Sequence, residues 1–268
     1  MDLTSELAFA REIALLGGRI ALDHQQRRLH RERKDDGSWV TEADWKVEAQ
    51  MRLRIARTFP DHNILGEEEG LTGAGGGDPV PGAPTWVLDP IDGTNNFMAK
   101  IPIWGTLVAL RVGDQSVVGA CNLPALNEFY DAGIGMGARI NGTPIEVDPI
   151  SDLGEATISY AGAAWFHEAG LAGYFDEVVS RAARTRGFGD CWGHALVARG
   201  AVHAMIEPGL RVWDFSALEP IVTEAGGQIT RLDGTPLTDG GSVLTTNGQL
   251  HEELVRLARA TTPDWVES

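Results

Sequence analysis

Apolar residues at helical spacing predict three long amphipathic helices in this chain. Between residues 3 and 29 they recur every three or four positions and form one stripe. The same spacing predicts a second helix that begins near Asp44 and stops before Pro60, because proline cannot continue a helix. A final helix is predicted over residues 250 to 260. Each of these helices has one face that must pack against a core.

A run of basic residues follows the first predicted helix. We interpret these cations as favourable neighbours of a helix C-terminus, where the macrodipole attracts positive charge, rather than as a binding patch. They are Arg27, Arg28, Arg31, Arg33 and Lys34.

The middle of the chain has the pattern of an antiparallel sheet. Residues 106 to 112, 117 to 123 and 128 to 132 alternate or run apolar between short polar segments. Asn141 and Gly142 are a strong hairpin signal, because these residue types accept the positive φ angles of a tight turn. We therefore expect strands joined by short turns in this region.

The remaining third alternates helix and strand. The pattern predicts helices over residues 171 to 184, 191 to 199 and 215 to 225, and strands over residues 157 to 160, 202 to 206, 228 to 232 and 242 to 246. Such a mixture indicates sheets layered between helices. Since no long Pro/Ser linker interrupts the chain, we expect one compact unit with an N-terminal α+β half, residues 1 to 145, and a C-terminal α/β half, residues 146 to 268.

One short stretch carries most of the candidate chemistry. An apolar run over residues 86 to 88 reads as a buried strand that ends at Asp89, because Pro90 is unsuited to a central ladder position. Residues 92 to 94, Asp-Gly-Thr, follow at once. Acids in a loop at the carboxyl end of a strand are typical of metal and phosphate sites. The alternative is a strand followed by a plain Asp-Gly turn.

Two further acids resemble Asp89 and Asp92 in their placement. Glu67 follows a short strand at residues 63 to 65, and Asp214 stands at the start of a helix. Four clustered carboxylates would repel one another and hold protons, whereas Mg²⁺ ions would make the cluster favourable. The seven histidines lack the spacing of metal ligands.

Composition and charge exclude several classes of function. The formal charge of −16 argues against a nucleic-acid-binding protein, which needs a basic face. Two cysteines, Cys121 and Cys191, are too few for a disulfide framework. No apolar run approaches the ~20 residues of a membrane span, and Met1 leads into polar sequence without a signal-peptide core. We therefore expect a soluble, cytoplasmic protein that does not bind a membrane.

An ordered set of motifs resembles the inositol monophosphatase family over nearly the whole chain. The set is Trp39-Val40-Thr41-Glu42-Ala43-Asp44, Leu65-Gly66-Glu67-Glu68, Asp89-Pro90-Ile91-Asp92-Gly93-Thr94, the hairpin from Ala132 to Gly142, and Trp213-Asp214. The resemblance implies a layered αβαβα sandwich, a homodimer and a small-molecule phosphate monoester as substrate. It also implies two or three Mg²⁺ ions per active site, with Mn²⁺ as an alternative.

The resemblance also implies the metal ligands. Glu67, Asp89 and the carbonyl oxygen of Ile91 would hold one ion. Asp89, Asp92 and Asp214 would hold a second, and Glu67 would reach a third through water. A metal-activated water would then attack phosphorus in line.

Phosphate-binding and catalytic roles follow from the same resemblance. Asp92, Gly93 and Thr94 would bind the phosphate, with backbone N–H groups offered at a helix start. Asp44 would accept a hydrogen bond from the Thr94 hydroxyl, and this pair, with Glu67, would activate the attacking water.

The leaving-group pocket is expected in the second half of the chain. Glu207 matches the family position that contacts the substrate alcohol. The segment from Arg186 to His194 departs from the inositol-cleaving pattern and places a carboxylate, Asp190, where those members have an alanine. Two carboxylates beyond the metals suit a cationic leaving group. The segment resembles the histidinol-phosphate phosphatase branch, with Arg186, Asp190 and Glu207 as expected substrate-binding residues.

Three alternatives remain open on the sequence. Asp190 could simply cap the helix that begins at Cys191. The substrate could be an inositol phosphate or a 3′-phosphoadenosine compound. A non-catalytic protein that binds metal or phosphate is a more distant alternative, because it would not need the complete set of ligands that this chain has.

Overall fold

A computed structural model of the protein describes residues 2–27, 30–34, 37 and 39–262. In the first half its elements are α1 (Thr4–Gln25), β1 (Arg31–Arg33), β2 (Trp39–Thr41), α2 (Glu42–Thr58), β3 (Asn63–Gly66), β4 (Gly70–Gly73), β5 (Thr85–Asp92), α3 (Thr94–Ala99), β6 (Gly105–Val112), β7 (Gln115–Leu123), β8 (Glu128–Gly133), β9 (Ala138–Ile140) and β10 (Thr143–Pro144). A short 3₁₀ turn, Leu153–Glu155, leads into the second half.

The second half contains β11 (Thr157–Tyr160), α4 (Ala163–Glu168), α5 (Ala172–Arg181), β12 (Arg184–Arg186), α6 (Asp190–Ala198), β13 (Ala204–Arg211), α7 (Val212–Phe215), α8 (Leu218–Glu224), β14 (Gln228–Arg231), β15 (Gly240–Thr246) and α9 (His251–Thr261). None of the helices within the described ranges is long and apolar enough to cross a membrane.

The first half builds one eight-stranded sheet with the order β10-β9-β8-β7-β6-β5-β3-β4. Its neighbours are antiparallel except β3 and β5. The three strands predicted between residues 106 and 132 are confirmed as β6, β7 and β8. The predicted Asn141-Gly142 turn joins β9 to β10 in an antiparallel hairpin.

β5 does not end at Asp89, contrary to the prediction. The strand continues through Pro90 to Asp92 and pairs with β6 across a register shift between Asp89 and Asp92. Its ladder with β3 stops at Leu88, so Pro90 is not required to donate a hydrogen bond on that side. The bulge places the polar segment at the carboxyl end of β5.

The second half builds a five-stranded sheet with the order β12-β11-β13-β15-β14. β11 runs parallel to both of its neighbours, and β15 runs antiparallel to β13 and β14. The predicted boundary between residues 145 and 146 falls between the two sheets, and the division of the chain into two halves stays a prediction.

Buried side chains arrange the sheets and helices into five layers. α1 and α2 cover one face of the first sheet, with Ile13, Met51 and Trp86 in that core. α6 and α8 fill the space between the two sheets. α5 and α9 cover the outer face of the second sheet, where Tyr174 and Leu254 are buried. The predicted αβαβα sandwich is confirmed.

Several predicted helix boundaries were wrong. Of the helix predicted over residues 3 to 29, the structure shows α1 to Gln25, and residues 28 and 29 lie outside the described ranges. A separate helix, α4, precedes α5, and the helix predicted over residues 215 to 225 is divided into α7 and α8. Periodicity detects apolar spacing but does not register such short breaks.

The helix-terminus interpretation of the basic run also needs correction. Arg31 and Arg33 lie on β1, away from the end of α1, and their guanidinium carbons lie 5.2 and 4.7 Å from the Trp39 ring centroid. Arg28 lies outside the described residues. The β1–β2 hairpin therefore presents arginines stacked on an aromatic ring.

Candidate active site

Three of the predicted carboxylates meet at one point between the two sheets. Asp89 and Asp92 come from the bulged end of β5, and Asp214 lies in α7 directly after β13. Each offers a carboxylate oxygen, and these three oxygens lie within 4.8 Å of one another. Backbone donors also orient two of these carboxylates: Asp89 Oδ1 accepts from Ile91 N at 3.0 Å, and Asp214 Oδ2 from Arg211 N at 2.6 Å.

The cluster is electrostatically unfavourable as long as only protein atoms surround it. Burial, together with the charge of Asp214, raises the pKa of Asp92 to about 8. Burial also raises the pKa of Asp214 to about 8 and that of Asp89 well above its ordinary range, where Glu67 and Asp92 add to the effect. A divalent cation bound among these acids would stabilise their deprotonated forms and relieve the repulsion between them.

The donor set fits a hard divalent cation, because all the available ligands are oxygens. The carbonyl oxygen of Ile91, also predicted as a ligand, accepts a hydrogen bond from Thr94 Oγ1 at 3.1 Å. A buried carboxylate oxygen nearby, Asp44 Oδ1, receives no hydrogen bond from the described residues.

Glu67 stands beside this cluster on the turn after β3. The turn is held by Glu48 of α2, whose carboxylate accepts the N–H groups of Glu68 and Glu69 at 2.9 and 3.0 Å. Arg52, one turn further along α2, donates to Glu48 at 2.8 Å. Sequence reasoning missed this buried pair, although its i, i+4 spacing beside the apolar stripe of α2 was a usable signal.

Lys34 contacts the acids on this turn and is not a helix-terminus cation. Its ammonium lies 2.8 Å from Glu67 Oε1 and 2.7 Å from Glu68 Oε1. Burial alone would lower the pKa of Lys34, but the two carboxylates raise it above its usual value. Burial raises the pKa of Glu68 to about 7. A protein cation therefore neutralises the edge of the acidic site.

The predicted hydrogen bond between Asp44 and Thr94 is not formed in this structure. The Thr94 hydroxyl donates to Ile91 instead. Asp44 Oδ2 accepts from the backbone N–H and the hydroxyl of Thr41, at 2.8 and 2.6 Å, and so completes the capping box of α2. Burial raises the pKa of Asp44 to about 6, although the Thr41 hydrogen bonds oppose the shift.

Asp190 does not cap α6, so the simple capping alternative is wrong. The N-cap residue is Gly189, and the backbone N–H of Cys191 donates to Asp92 Oδ2 at 2.7 Å. Asp190 Oδ2 instead accepts from Asn96 Nδ2 at 2.7 Å. Burial and the charge of Asp92 raise the pKa of Asp190 to about 7.

A cavity of about 850 Å³ opens over this cluster. Glu67, Asp92 and Asp214 line it on the metal side, with Gly93 and Thr94 beside them. Asp190 and Glu207, the two carboxylates predicted for the leaving-group pocket, also line it. Arg186 is not among the lining residues; it lies exposed on β12, where its guanidinium donates to the Thr185 carbonyl at 2.7 Å.

Four charged or aromatic side chains that sequence reasoning did not assign to the site also line the cavity. Arg33 and Trp39 belong to the β1–β2 hairpin, and Trp165 and Glu168 belong to α4. The sequence places α4 far from the metal-binding motifs, and its only local signal is an exposed tryptophan in a short helix. These residues add one cation, one carboxylate and two aromatic rings to the cavity.

A profile of the inositol monophosphatase family matches residues 2–262 of the chain. The chain belongs to the inositol monophosphatase family. It is 36% identical to a histidinol-phosphatase of Streptomyces coelicolor over 95% of each chain. It is 33% identical to an inositol-1-monophosphatase of Synechocystis, over 97% of this chain and 88% of the relative.

The solved structures agree with this membership. An IMPase structure from Thermotoga maritima superposes with a TM-score of 0.86 at 28% identity, over 98% of this chain and 100% of the other. Phosphatases of the inositol monophosphatase family are metal-dependent, and the Asp89, Asp92 and Asp214 cluster could bind the metal. The chain is therefore a metal-dependent phosphomonoesterase that acts on a phosphate ester.

Proposed function

We propose that this phosphatase hydrolyses L-histidinol phosphate to L-histidinol and phosphate, a step of histidine biosynthesis. The observation that carries the proposal is the pair of carboxylates, Asp190 and Glu207, that line the cavity beyond the acids suited to metal binding. Histidinol carries an amine and an imidazole, and both can donate to carboxylates. A neutral polyol would not compensate these charges.

The charge balance of the cavity supports a cationic leaving group. Metal ions would offset the charges of Asp89, Asp92 and Asp214. Besides Glu67, Asp92 and Asp214, the charged lining residues that the structure describes are Asp190, Glu207, Glu168 and Arg33, so carboxylates outnumber the cation. The relatives give weaker support, because their identities to this chain are similar: 36% for the histidinol-phosphatase and 33% for the inositol-1-monophosphatase.

We propose Mg²⁺ as the metal, held by Glu67, Asp89, the Ile91 carbonyl, Asp92 and Asp214. When bound, it would supply charge to the phosphoryl oxygens and increase the acidity of water. Mn²⁺ has similar ligand preferences and is the expected substitute.

The chain's own residues position the ester and accept the proton. We propose that the backbone N–H groups of Gly93 and Thr94, beside Asp92, bind the phosphate. Asp44 is the proposed proton acceptor, because its buried Oδ1 receives no hydrogen bond from the described residues, whereas the Thr94 hydroxyl donates to the Ile91 carbonyl. Glu67 completes the catalytic set. Arg186 does not line the cavity, so the proposed substrate-binding residues are Asp190 and Glu207 alone.

A substrate panel tests the proposal. Purified protein with Mg²⁺ is assayed for phosphate release from histidinol phosphate, inositol 1-phosphate and 3′-phosphoadenosine 5′-phosphate. We expect the highest kcat/KM with histidinol phosphate. A higher kcat/KM for either of the other esters would contradict the proposed substrate. Absence of Mg²⁺-dependent release from every ester would favour a non-catalytic protein.

We further propose a homodimer in the cytoplasm, as the family resemblance implies. Light scattering coupled to size-exclusion chromatography measures the assembly directly. A monomeric mass at micromolar concentration would contradict the dimer.

A further inference from the structure

A histidine with no role in the proposed reaction is buried directly behind the leaving-group pocket. His194 of α6 is fully buried. Its Nδ1 lies 2.7 Å from Thr245 Oγ1, and its Nε2 lies 3.1 Å from Glu207 Oε2. Both ring nitrogens therefore have partners, and one partner is the carboxylate that lines the cavity.

Strand register brings the three side chains together. β13 and β15 pair Met205 with Thr245 and Glu207 with Val243. Side chains two residues apart on a strand point to the same face, so Glu207 and Thr245 share the face that α6 covers. His194 is the residue of α6 that reaches both strands.

Gly193 allows this close packing of the helix on the sheet. A Cβ at this position would overlap the Phe188 carbonyl oxygen and the Met205 sulfur. α6 can approach the sheet this closely only because residue 193 has no side chain. The imidazole of the next residue is consequently held in a narrow site with one neighbour at each nitrogen.

The hydrogen-bonding pattern selects one tautomer of His194. Burial lowers its pKa to about 3, so the ring is neutral and has one N–H. Thr245 can donate its hydroxyl proton to Nδ1, which leaves Nε2–H to donate to Glu207. Burial and the charge of Asp190 raise the pKa of the Glu207 carboxyl well above its usual value, and the backbone N–H of Asp190 only partly opposes this shift.

We propose that His194, fixed by Thr245, is a positioning residue that holds one oxygen of Glu207 and directs the other towards the leaving alcohol of the substrate. This inference rests on the proposed function, in which Glu207 contacts that alcohol. An unheld carboxylate would rotate between orientations, and the substrate would have to order it on binding. His194 thus acts on substrate affinity through Glu207.

Two substitutions at the same position separate its two hydrogen bonds. The amide of His194→Gln extends to about the place of Nε2 and can still donate to Glu207. The shorter amide of His194→Asn ends near Nδ1 and retains only the Thr245 contact. Thr245→Val removes the hydroxyl and keeps the shape of the side chain. His194 can then adopt either tautomer, and no large cavity is opened.

The expected result is a change in KM rather than in kcat. His194→Asn should raise KM for histidinol phosphate about tenfold, as loss of a hydrogen bond to a charged group does, with kcat within about threefold. His194→Gln should stay within about threefold of the wild-type KM. Thr245→Val should fall between them. Equal KM values for the Asn and Gln variants, or a higher value for Gln, would overturn the proposal.

A second measurement does not depend on the substrate. In ¹⁵N-histidine-labelled protein, long-range ¹⁵N–¹H spectra should show His194 protonated at Nε2 and bare at Nδ1. The opposite tautomer would overturn the proposal even if a variant fails to fold. If the panel favours inositol 1-phosphate, the proposed substrate fails, and the same three variants measured with that ester still test the role of His194.

Discussion

At the residue scale, Asp92 links the metal site to the leaving-group pocket. One of its oxygens, Oδ2, accepts the N–H of Cys191, the second residue of α6, at 2.7 Å, and the carboxylate also faces Asp89 and Asp214. The start of α6 therefore fixes the orientation of an acid in the cluster that could bind metal. The adjacent residue, Asp190, faces the cavity with a left-handed backbone (φ 56°).

Asp190→Asn should lower kcat/KM for histidinol phosphate at least about tenfold more than for inositol 1-phosphate. The substitution removes a charge that can pair with the cationic alcohol, a loss of about 1.5 to 3 kcal/mol for a charged hydrogen bond. Asparagine also tolerates the positive φ angle, so the backbone of α6 is preserved. Steady-state kinetics with both esters measure the difference.

The control for Asp190 is its hydrogen-bond donor, Asn96. Asn96→Ala keeps the Asp190 charge and removes only the bond at 2.7 Å. It should affect both esters to a similar, smaller extent. An equal loss on both esters with Asp190→Asn would show that Asp190 is structural and not a specificity residue.

At the element scale, the short helix α4 forms a wall of the cavity. Its buried residue, Phe166, stacks on Phe175 of α5 with ring centroids 4.4 Å apart, which fixes the helix on the second sheet. Trp165 and Glu168 then face the cavity from the exposed side. α4 thus adds an aromatic ring and a carboxylate to the cavity that the acidic cluster lines.

Glu168→Gln should raise KM for histidinol phosphate about threefold and leave KM for inositol 1-phosphate unchanged. The effect is small because an exposed charge pair contributes only about 0 to 1 kcal/mol. It should shrink further in 0.5 M salt, since salt screens exposed charges. Kinetics at low and high salt measure both changes.

Asp176→Asn on neighbouring α5 is the matched control for Glu168→Gln. It removes one exposed carboxylate that does not line the cavity. We expect no change in either KM. If this variant raised the KM for histidinol phosphate as much as Glu168→Gln, the effect would come from net charge and not from the wall formed by α4.

At the scale of the whole molecule, the acidic cluster joins the two halves of the chain. Asp89 and Asp92 belong to the first sheet, whereas Asp214 follows β13 of the second. A metal ion at this cluster would hold both halves, and without one the acids repel each other. Metal binding should therefore contribute to the stability of the whole fold.

Mg²⁺ should raise Tm more at pH 8 than at pH 5.5. Burial raises the pKa of Asp92 and Asp214 from 3.8 to about 8. In the metal-free protein, the folded state is stabilised because it keeps these carboxyls protonated. This stabilisation is complete below pH 3.8 and is lost as pH rises through 8. Metal binding needs the deprotonated acids, so the shift at pH 8 should be about 5 to 10 °C at 100 times Kd.

Thermal melts with EDTA or Mg²⁺ at both pH values measure this linkage. Asp214→Asn is the control, because it removes one acid and should weaken both the pH dependence and the Mg²⁺ shift. Equal Mg²⁺ shifts at pH 5.5 and pH 8 would contradict the assignment of these raised pKa values to the metal site.

Local pattern was sufficient for much of the fold and for the chemistry of the centre. Strands β6, β7 and β8 of the first sheet and the Asn141-Gly142 hairpin follow from alternation and turn residues, which act over a few positions. Acids placed after apolar runs predicted Asp89, Asp92 and Asp214 as a group, and the structure brings an oxygen of each within 4.8 Å of the others. The αβαβα sandwich was predicted from the ordered set of motifs that resembles the family.

Only the tertiary structure decided which side chains surround that centre. Lys34 reaches Glu67 across 33 positions in the chain, and Asp92 accepts from Cys191 across 99. His194 meets Glu207 only because β13 and β15 pair in one register and α6 packs closely on them. Sequence patterns report which face of an element is buried. Contacts between distant elements depend on register and packing, which local spacing does not encode.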